Sequence, residues 1–508
     1  MAYAEKRGNL WRARWVSPSG KLESQSGFKT RKAAEDYAND KESSVRKNTY
    51  VDVRAGQVTV AEIANAWYSG LDLEPTTMSN YRYMTEVYIL PKFGDRAVAS
   101  LTEHEMPIWE RELVTGGLSR RSASDARSTF ATILASAVPR YIQINPAARK
   151  KGTGRKGTRR IEKMQQRQKV WASPLDALLI AERAAALSGQ DTDFVMAITI
   201  AYTGMRWGEA IGLMPDCVGK NKIDVHWKLY ELNGRFYRGR PKDGSMRTLD
   251  LPPFLSTMLS EYMRLNPPRT CSCSLKATDT GEIPWCAGDA YVFLGAQRGH
   301  FRRSNYSERV FRPAADGWHP ARRGSSPRAR KPVLVDASQP WPGSPLAPWP
   351  AAISGEPFRE PRGRGIVPVP AEMPVASWLP ILPDLTPHGL RHGHHTWMDE
   401  AGVSYVLQSE RMGHEVPGMR GVYNHVSPMM RSALISAMER LWGDSLRLRS
   451  QLSPQSSVPI LNRLLHPRGN STSNTSFVQV RPTEEDIHAK KHSDDAPVRI
   501  PLLAYTQH

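Results

Sequence analysis

Two imidazoles, a guanidinium and a phenol fall within one short stretch of the chain: His388-Gly-Leu-Arg391, then Gly413-His414, then Tyr423. Together these groups suit attack on a phosphodiester with neither a metal nor a nucleotide. A phosphodiester gains negative charge as it becomes five-coordinate, so the site needs fixed cations and donors aimed at its non-bridging oxygens. Arginine serves better than lysine there, because its planar fork binds two oxygens at once and stays charged. A second arginine of this kind lies far upstream, in Ala201-Tyr-Thr-Gly-Met-Arg206-Trp-Gly-Glu209. Thr203-Gly204 breaks an apolar run, which predicts a helix start with Arg206 in its first turn and Glu209 three residues on to hold it still. Thr386-Pro387 reads as an N-cap and first helical position. That predicts His388 and Arg391 at a helix N-terminus, whose amides and dipole favour an anion. Tyr423 needs cationic neighbours or a base to attack at neutral pH, since an exposed phenol has a pKa near ~10.

Taken singly, these residues have plainer roles: an arginine in a surface ion pair, a packed tyrosine, a Gly-His turn. Their order and spacing say more. Arg206, Lys242, His388 with Arg391, His414, and Tyr423 nine residues after it follow the pattern of the phage-integrase family of tyrosine recombinases, which this chain resembles. The resemblance implies that Tyr423 attacks the scissile phosphate to give a 3′-phosphotyrosyl link, while Arg206, Arg391 and His414 stabilise the phosphorane and His388 assists proton transfer. It makes Lys242, in Arg240-Pro-Lys242-Asp-Gly-Ser-Met-Arg247, the general acid for the departing 5′ oxygen. Two strands, around 222–232 and 247–251, are expected to flank it, with Asp243-Gly244 as the turn. No cofactor is expected for catalysis. The implied partner is double-stranded DNA carrying attachment sites, with self-association into a synaptic tetramer and accessory bending or excision proteins.

A zinc hydrolase competes for the histidines, since His388 and His392 are four apart and His394 and His395 follow. Such sites place a carboxylate beside the first histidine, where this chain has Gly389. Two further classes remain: a type IB topoisomerase, which relaxes one duplex by the same chemistry, and a non-catalytic DNA-binding derivative. The Gly-His-to-Tyr spacing and an arm-like N-terminal segment argue against the first, and the full set of site residues against the second.

Composition points to a polyanion independently. The formal net charge is +19 and the isoelectric point about 9.8, which implies salt-sensitive attraction to nucleic acid. No apolar run approaches the ~20 residues of a membrane span, and the first residues lack a signal peptide's apolar core. A soluble, cytoplasmic, nucleoid-associated protein is the expectation.

At 508 residues the chain has room for about three domains at ~100–200 residues each, and a multidomain α+β architecture is expected. Residues 1–50 predict a small three-stranded sheet and a helix, with Arg12 and Arg14 on one strand face and Trp11, Ala13 and Trp15 on the other. This resembles an arm-type DNA-binding domain. Residues 58–148 predict an all-helical domain, opened by the capping box Thr59-Val-Ala-Glu62, that resembles a core-binding domain. A basic linker, 149–172, follows. Between Arg149 and Lys169 it carries ten lysines or arginines, among them Lys150, Lys151, Arg155 and Lys156, against the single acid Glu162. It reads both as a solvated linker and as a segment crossing phosphates. The catalytic domain is expected over 173–444, mainly helical with a small sheet and interrupted by an insertion at 266–383. The insertion's second half reads as a disordered or extended loop and 450–508 as a flexible tail. Residues 428–446 read as an amphipathic helix, and the family resemblance implies that it docks on a neighbouring subunit. The insertion's first half holds Cys271, Cys273 and Cys286, with His300 following. Three thiolates and an imidazole complete a structural zinc tetrahedron, although the spacing is not that of a common zinc finger.

Overall fold

The computed structural model describes residues 2–18, 20–47, 55–149, 169–273, 286, 289–320, 331–346, 374–415 and 425–466. The chain divides into two compact units, residues 1–166 and 167–508. Lys150, Lys151, Arg155 and Lys156, Tyr423, and residues 467–508 of the expected tail lie outside the described residues.

The first unit opens with an antiparallel sheet in the order β1 (Tyr3–Arg7), β2 (Leu10–Val16), β3 (Leu22–Phe28), followed by α1 (Arg31–Arg46). Alternation along β2 buries Ala13 and Trp15 against Ala34 and Ala38 of α1, as a half-covered sheet requires. The opposite face carries Arg12, which donates to Ser26 Oγ at 2.8 Å, and Arg14, paired with Glu5 at 2.8 Å. A helical assembly follows: α2 (Val60–Ser69), α3 (Pro75–Met84), α4 (Leu90–Phe93), α5 (Glu105–Thr115) and α6 (Arg120–Ala135), with one π turn joining α3 to α4. The Thr59 capping box is formed in both directions. Phe93, Trp109 and Phe130 meet at ring-centroid distances of 5.0–5.8 Å at its centre.

The second unit is built on α7 (Pro174–Ser188) and α8 (Asp191–Thr203). Both helices are apolar around most of their circumference, so nearly every side chain of α8 is buried. The left-handed Gly204 (φ 68°) ends α8, and α9 (Trp207–Ile211) follows at once. Next come β4 (Val218–Gly219), β5 (Lys222–Val225), β6 (Lys228–Leu232), β7 (Arg235–Gly239) and β8 (Arg247–Asp250). The pairing corrects the expected hairpin. Asn233 and Gly234, both at positive φ, form the tight turn between β6 and β7, while β5 pairs with β8. The signal missed was an Asn-Gly turn; Asp243-Gly244 lies instead in the longer loop from β7 to β8.

After α10 (Pro253–Leu265) the chain crosses the insertion and returns as α11 (Pro387–Glu400), α12 (Tyr405–Met412), α13 (Pro428–Leu452) and α14 (Pro459–Leu465). α11 lies against the end of the expected linker: a Cβ on Gly393 would come within 2.5 Å of the Ala172 carbonyl, which also accepts from Trp397 Nε1 at 3.0 Å. Residues 169–172 therefore belong to the packed unit.

Two other expectations change. The described parts of the insertion are built in: Leu334–Asp336 pairs with Ser344–Pro345 and Val375–Ser377, and Val333, Val335 and Trp378 are buried. Arg183 of α7 lies over the rings of Trp341 and Trp378, at 5.5 and 4.7 Å. Nor is the chain loose over residues 450–466. Val458, Ile460 and Leu461 are buried, and Arg449 forms a fully buried ion pair with Glu182 at 2.6 Å. Isolated apolar residues among prolines gave no helical period, yet three of them suffice to hold one turn of α14 on the core.

Candidate active site

The left-handed glycine after α8 turns the chain so that Arg206 becomes the N-cap of α9, in extended conformation (φ −71°, ψ 152°), rather than a residue of its first turn. Its backbone N–H donates to the Glu209 carboxylate at 2.8 Å and its Nη1 donates to the same group at 3.0 Å. Nη1 also donates to Ser245 Oγ at 3.2 Å, and Nη2 to the Gly413 carbonyl at 3.0 Å. Thus one guanidinium touches α9, the β7–β8 loop and the end of α12.

Arg391 reaches the same place from α11. It is buried, donating from Nη1 to the Gly204 carbonyl and from Nη2 to the Met412 carbonyl at 2.6 Å and His414 Nε2 at 3.0 Å. Arg206 and Arg391 therefore hold the adjacent carbonyls of residues 413 and 412, and His414 follows them. Because its Nε2 accepts from Arg391, the neutral His414 ring carries its proton on Nδ1. The left-handed Gly413 (φ 62°) ends α12 and directs His414 back over the arginines.

Sequence reasoning missed three members of this cluster's support. Arg247 is buried and donates to Glu209 from both terminal nitrogens, at 3.2 and 2.7 Å, and from Nε to the Arg411 carbonyl at 2.8 Å. Arg411 is buried with no carboxylate hydrogen-bonded to it among the described residues, donating to His394 Nε2 at 2.9 Å and to the carbonyls of Asp250 and Tyr202, both at 3.0 Å. Ser245 accepts from Arg206 and donates to the Lys242 carbonyl at 2.8 Å, which ties the Lys242 turn to the arginine. Lys242 itself is exposed. The visible signal was Arg247, two residues beyond Ser245 at the start of a strand; Arg411 and Ser245 gave none.

Electrostatics follow from this count. Arg206, Arg247 and Arg391 surround one buried carboxylate, Glu209. Burial pushes that carboxyl up, but the bonds from Arg247 and Arg206 outweigh it and hold it below its usual value. Burial and the neighbouring Arg206 press the Arg391 pKa down to about 9, which leaves it charged at neutral pH. The cluster has an excess of positive charge that an anion would neutralise.

The imidazoles respond to the same field. His414 is held below its ordinary pKa by burial and then by Arg391 and Arg206. His388 is an exposed residue, which weakens the burial contribution, but His392, Arg391, Arg303 and Lys169 all push the same way. Both rings are therefore neutral near pH 7 and able to accept a proton. The expected cap is only partly made: Thr386 occupies the N-cap position without a side-chain bond, and Pro387 is the first helical residue. Arg391 turns inward to the arginine cluster instead of crowning the helix end.

The histidines of the competing metal reading make contacts of other kinds. His388 packs edge-on against His392 at 4.6 Å, His394 is fully buried against Arg411, and His395 pairs with Asp399 at 3.2 Å. Cys271, Cys273, Cys286 and His300 do converge, with their ligand atoms all within 4.8 Å of one another. Cys217 is a core residue.

Gly204 gives the site a testable rigidity. A Cβ there would lie 2.7 Å from Met412 Sδ and 2.8 Å from His394 Cδ2, at a φ that L side chains avoid. Gly204→Ala should cost about 2–4 kcal/mol from left-handed strain plus overpacking. A urea midpoint unchanged from wild type would show that the joint is softer than this.

The chain resembles solved integrases. The Tn1549 transposon integrase in complex with transposon right end DNA is 14% identical, with a TM-score of 0.47 over 76% of this chain and 99% of that one. A lambda integrase tetramer bound to a Holliday junction is 14% identical, with a TM-score of 0.42 over 84% of this chain and 98% of that one. A lambda integrase dimer bound to a COC′ core site is 14% identical, with a TM-score of 0.41 over 83% and 93%. No protein-family model matches the chain. No curated protein matches it either.

Proposed function

We propose that this protein is a site-specific DNA recombinase that cuts and rejoins strands through a 3′-phosphotyrosine, integrating a phage or mobile element into a bacterial chromosome. The observation that carries this reading is the convergence of Arg206, Arg391 and His414 on the turn at residues 412–414, around a single carboxylate. Five residues picked from the sequence pattern come from four separate segments, and three of them meet in direct contact or through adjacent carbonyls. The excess positive charge suits the non-bridging oxygens of a phosphorane. Among the described residues no helix is long and apolar enough to cross a membrane.

The steps follow from the side chains. The guanidiniums of Arg206 and Arg391 bind the scissile phosphate, and His414 adds a donor from Nδ1. Tyr423 attacks phosphorus, and its phenolic proton passes to a neutral base, a role that suits the neutral imidazole of His388. Lys242, on the loop that Ser245 fastens to Arg206, protonates the leaving 5′ oxygen. The 5′ hydroxyl of a partner duplex reverses the step, so the ester stores the bond energy and no nucleotide is consumed. Arg12, Arg14 and the basic segment with Lys150, Lys151, Arg155 and Lys156 supply backbone contacts to double-stranded DNA, and a tetramer on paired sites, with accessory bending proteins, completes the exchange.

The test is a nicked suicide duplex carrying the candidate attachment site, incubated in EDTA. A protein–DNA adduct on a denaturing gel is the expected result. Clear DNA binding with no adduct, with accessory factors supplied, would favour the non-catalytic reading, and relaxation of supercoiled plasmid without strand exchange between two sites would favour the topoisomerase.

A further inference from the structure

Three sulfurs and an imidazole meet away from the arginine cluster, on the segment between α10 and the helical stretch beginning at Arg303. Cys271 and Cys273 follow β9 (Arg269–Thr270), Cys286 precedes β10 (Ala290–Tyr291), and the antiparallel pairing of β9 with β10 brings the two ends together. His300 comes from the next loop. Cys271, Cys286 and His300 are buried and Cys273 is half-buried.

Distances decide among the uses of such a cluster. The Cys271 and Cys286 sulfurs are 3.4 Å apart, far beyond the ~2.05 Å of a disulfide. All four ligand atoms lie within 4.8 Å of one another. A tetrahedron with metal–sulfur bonds of ~2.3 Å and a metal–nitrogen bond of ~2.0 Å has edges of roughly 3.5–3.8 Å, so small side-chain movements complete it. His300 adds a second sign: both its ring nitrogens are buried, and among the described residues the groups within hydrogen-bonding reach of the ring are the Cys271 and Cys273 sulfurs. Thiols are weak hydrogen-bond partners, and a metal–nitrogen bond satisfies a buried imidazole better than they do.

We propose that Cys271, Cys273, Cys286 and His300 bind one zinc ion in a closed, structural site that clamps the insertion onto the β6–β7 hairpin. Three thiolates and an imidazole suit zinc, and four protein ligands leave no open position for chemistry. The clamp has visible anchors on the hairpin. His300 packs on Phe236 of β7 at 4.9 Å and on Tyr291 at 4.8 Å. Arg238 of β7 pairs with Asp289, and Arg302 pairs with Glu231 of β6 and donates to the Gly234 carbonyl at 2.8 Å. β7 runs directly into the loop that carries Lys242, so the metal steadies the base of that loop without touching phosphate.

The full chain, purified in reducing buffer and measured without DNA, should contain about one zinc per molecule, and cobalt substitution should give thiolate charge-transfer bands and tetrahedral d–d bands. Cys273→Ser, at the half-buried ligand, should lower bound zinc at least tenfold, while Cys217→Ser keeps it. Removing zinc should raise deuterium exchange at Arg235–Gly239. Wild-type protein that is folded by circular dichroism yet takes up neither zinc nor cobalt overturns the proposal. So do iron in place of zinc, a Cys271–Cys286 disulfide found by mass spectrometry under the same reducing conditions, or equal zinc in Cys273→Ser. Unchanged exchange at β7 overturns the clamp.

Discussion

Tyr423→Phe should abolish covalent adduct formation, lowering its rate by about four orders of magnitude or more, while DNA affinity stays within about twofold. The phenyl ring keeps the size of the tyrosine but has no oxygen to form the ester. The arginine cluster is untouched, so phosphate contacts, which dominate DNA affinity, remain. A filter-binding titration beside a suicide-substrate gel separates the two quantities. Residual adduct at more than a hundredth of the wild-type rate would mean that another side chain is the nucleophile. Equal loss of binding and cleavage would mean that Tyr423 acts through the fold.

The same cluster shows what the sequence could and could not reveal. Arg206, Arg391 and His414 were legible because the chemistry restricts their type and each sits beside a glycine or proline that marks an element boundary: Gly204, Pro387, Gly413. Glu209 was legible as a helix neighbour of Arg206, but its second partner, Arg247, was not, because pairing across 38 residues depends on how β8 lies beside α9. Arg411 was invisible for a similar reason: its bonds are to His394 and to backbone carbonyls, which carry no side-chain pattern. The sheet was misread where two strands lie close. The run from Lys222 to Leu232 contains a break at His226-Trp227 that the alternation did not expose, and the β6–β7 hairpin is nested between the paired strands β5 and β8. The segments 450–466 and 331–346 were misjudged because proline-rich composition predicts loop, whereas a few buried residues such as Leu461 and Val335 can hold a loop on a large core.

Glu209→Gln should produce the largest change in stability of any conservative substitution in the site. The carboxylate is 1% exposed and, among the described residues, is the one acidic group bonded to Arg206 and Arg247. Neutralising it keeps the shape and some of the hydrogen bonds but leaves the guanidiniums uncompensated, at a cost of about 3–5 kcal/mol. Its folded pKa is depressed, so its contribution is present at pH above the unfolded value and disappears as pH falls through the lower folded one. The difference between wild type and Glu209→Gln should therefore be full at pH 7 and shrink towards zero in strong acid. Thermal unfolding at several pH values checks this, and a gap that stays constant down to pH 2 would assign the loss to packing. An added anion discriminates further. If the cluster is built for phosphate, sulfate or DNA supplies part of the missing negative charge, so it should raise the Tm of Glu209→Gln more than that of wild type. A smaller rise in the variant would show that Glu209 positions Arg206 for anion binding and that charge balance alone does not replace it.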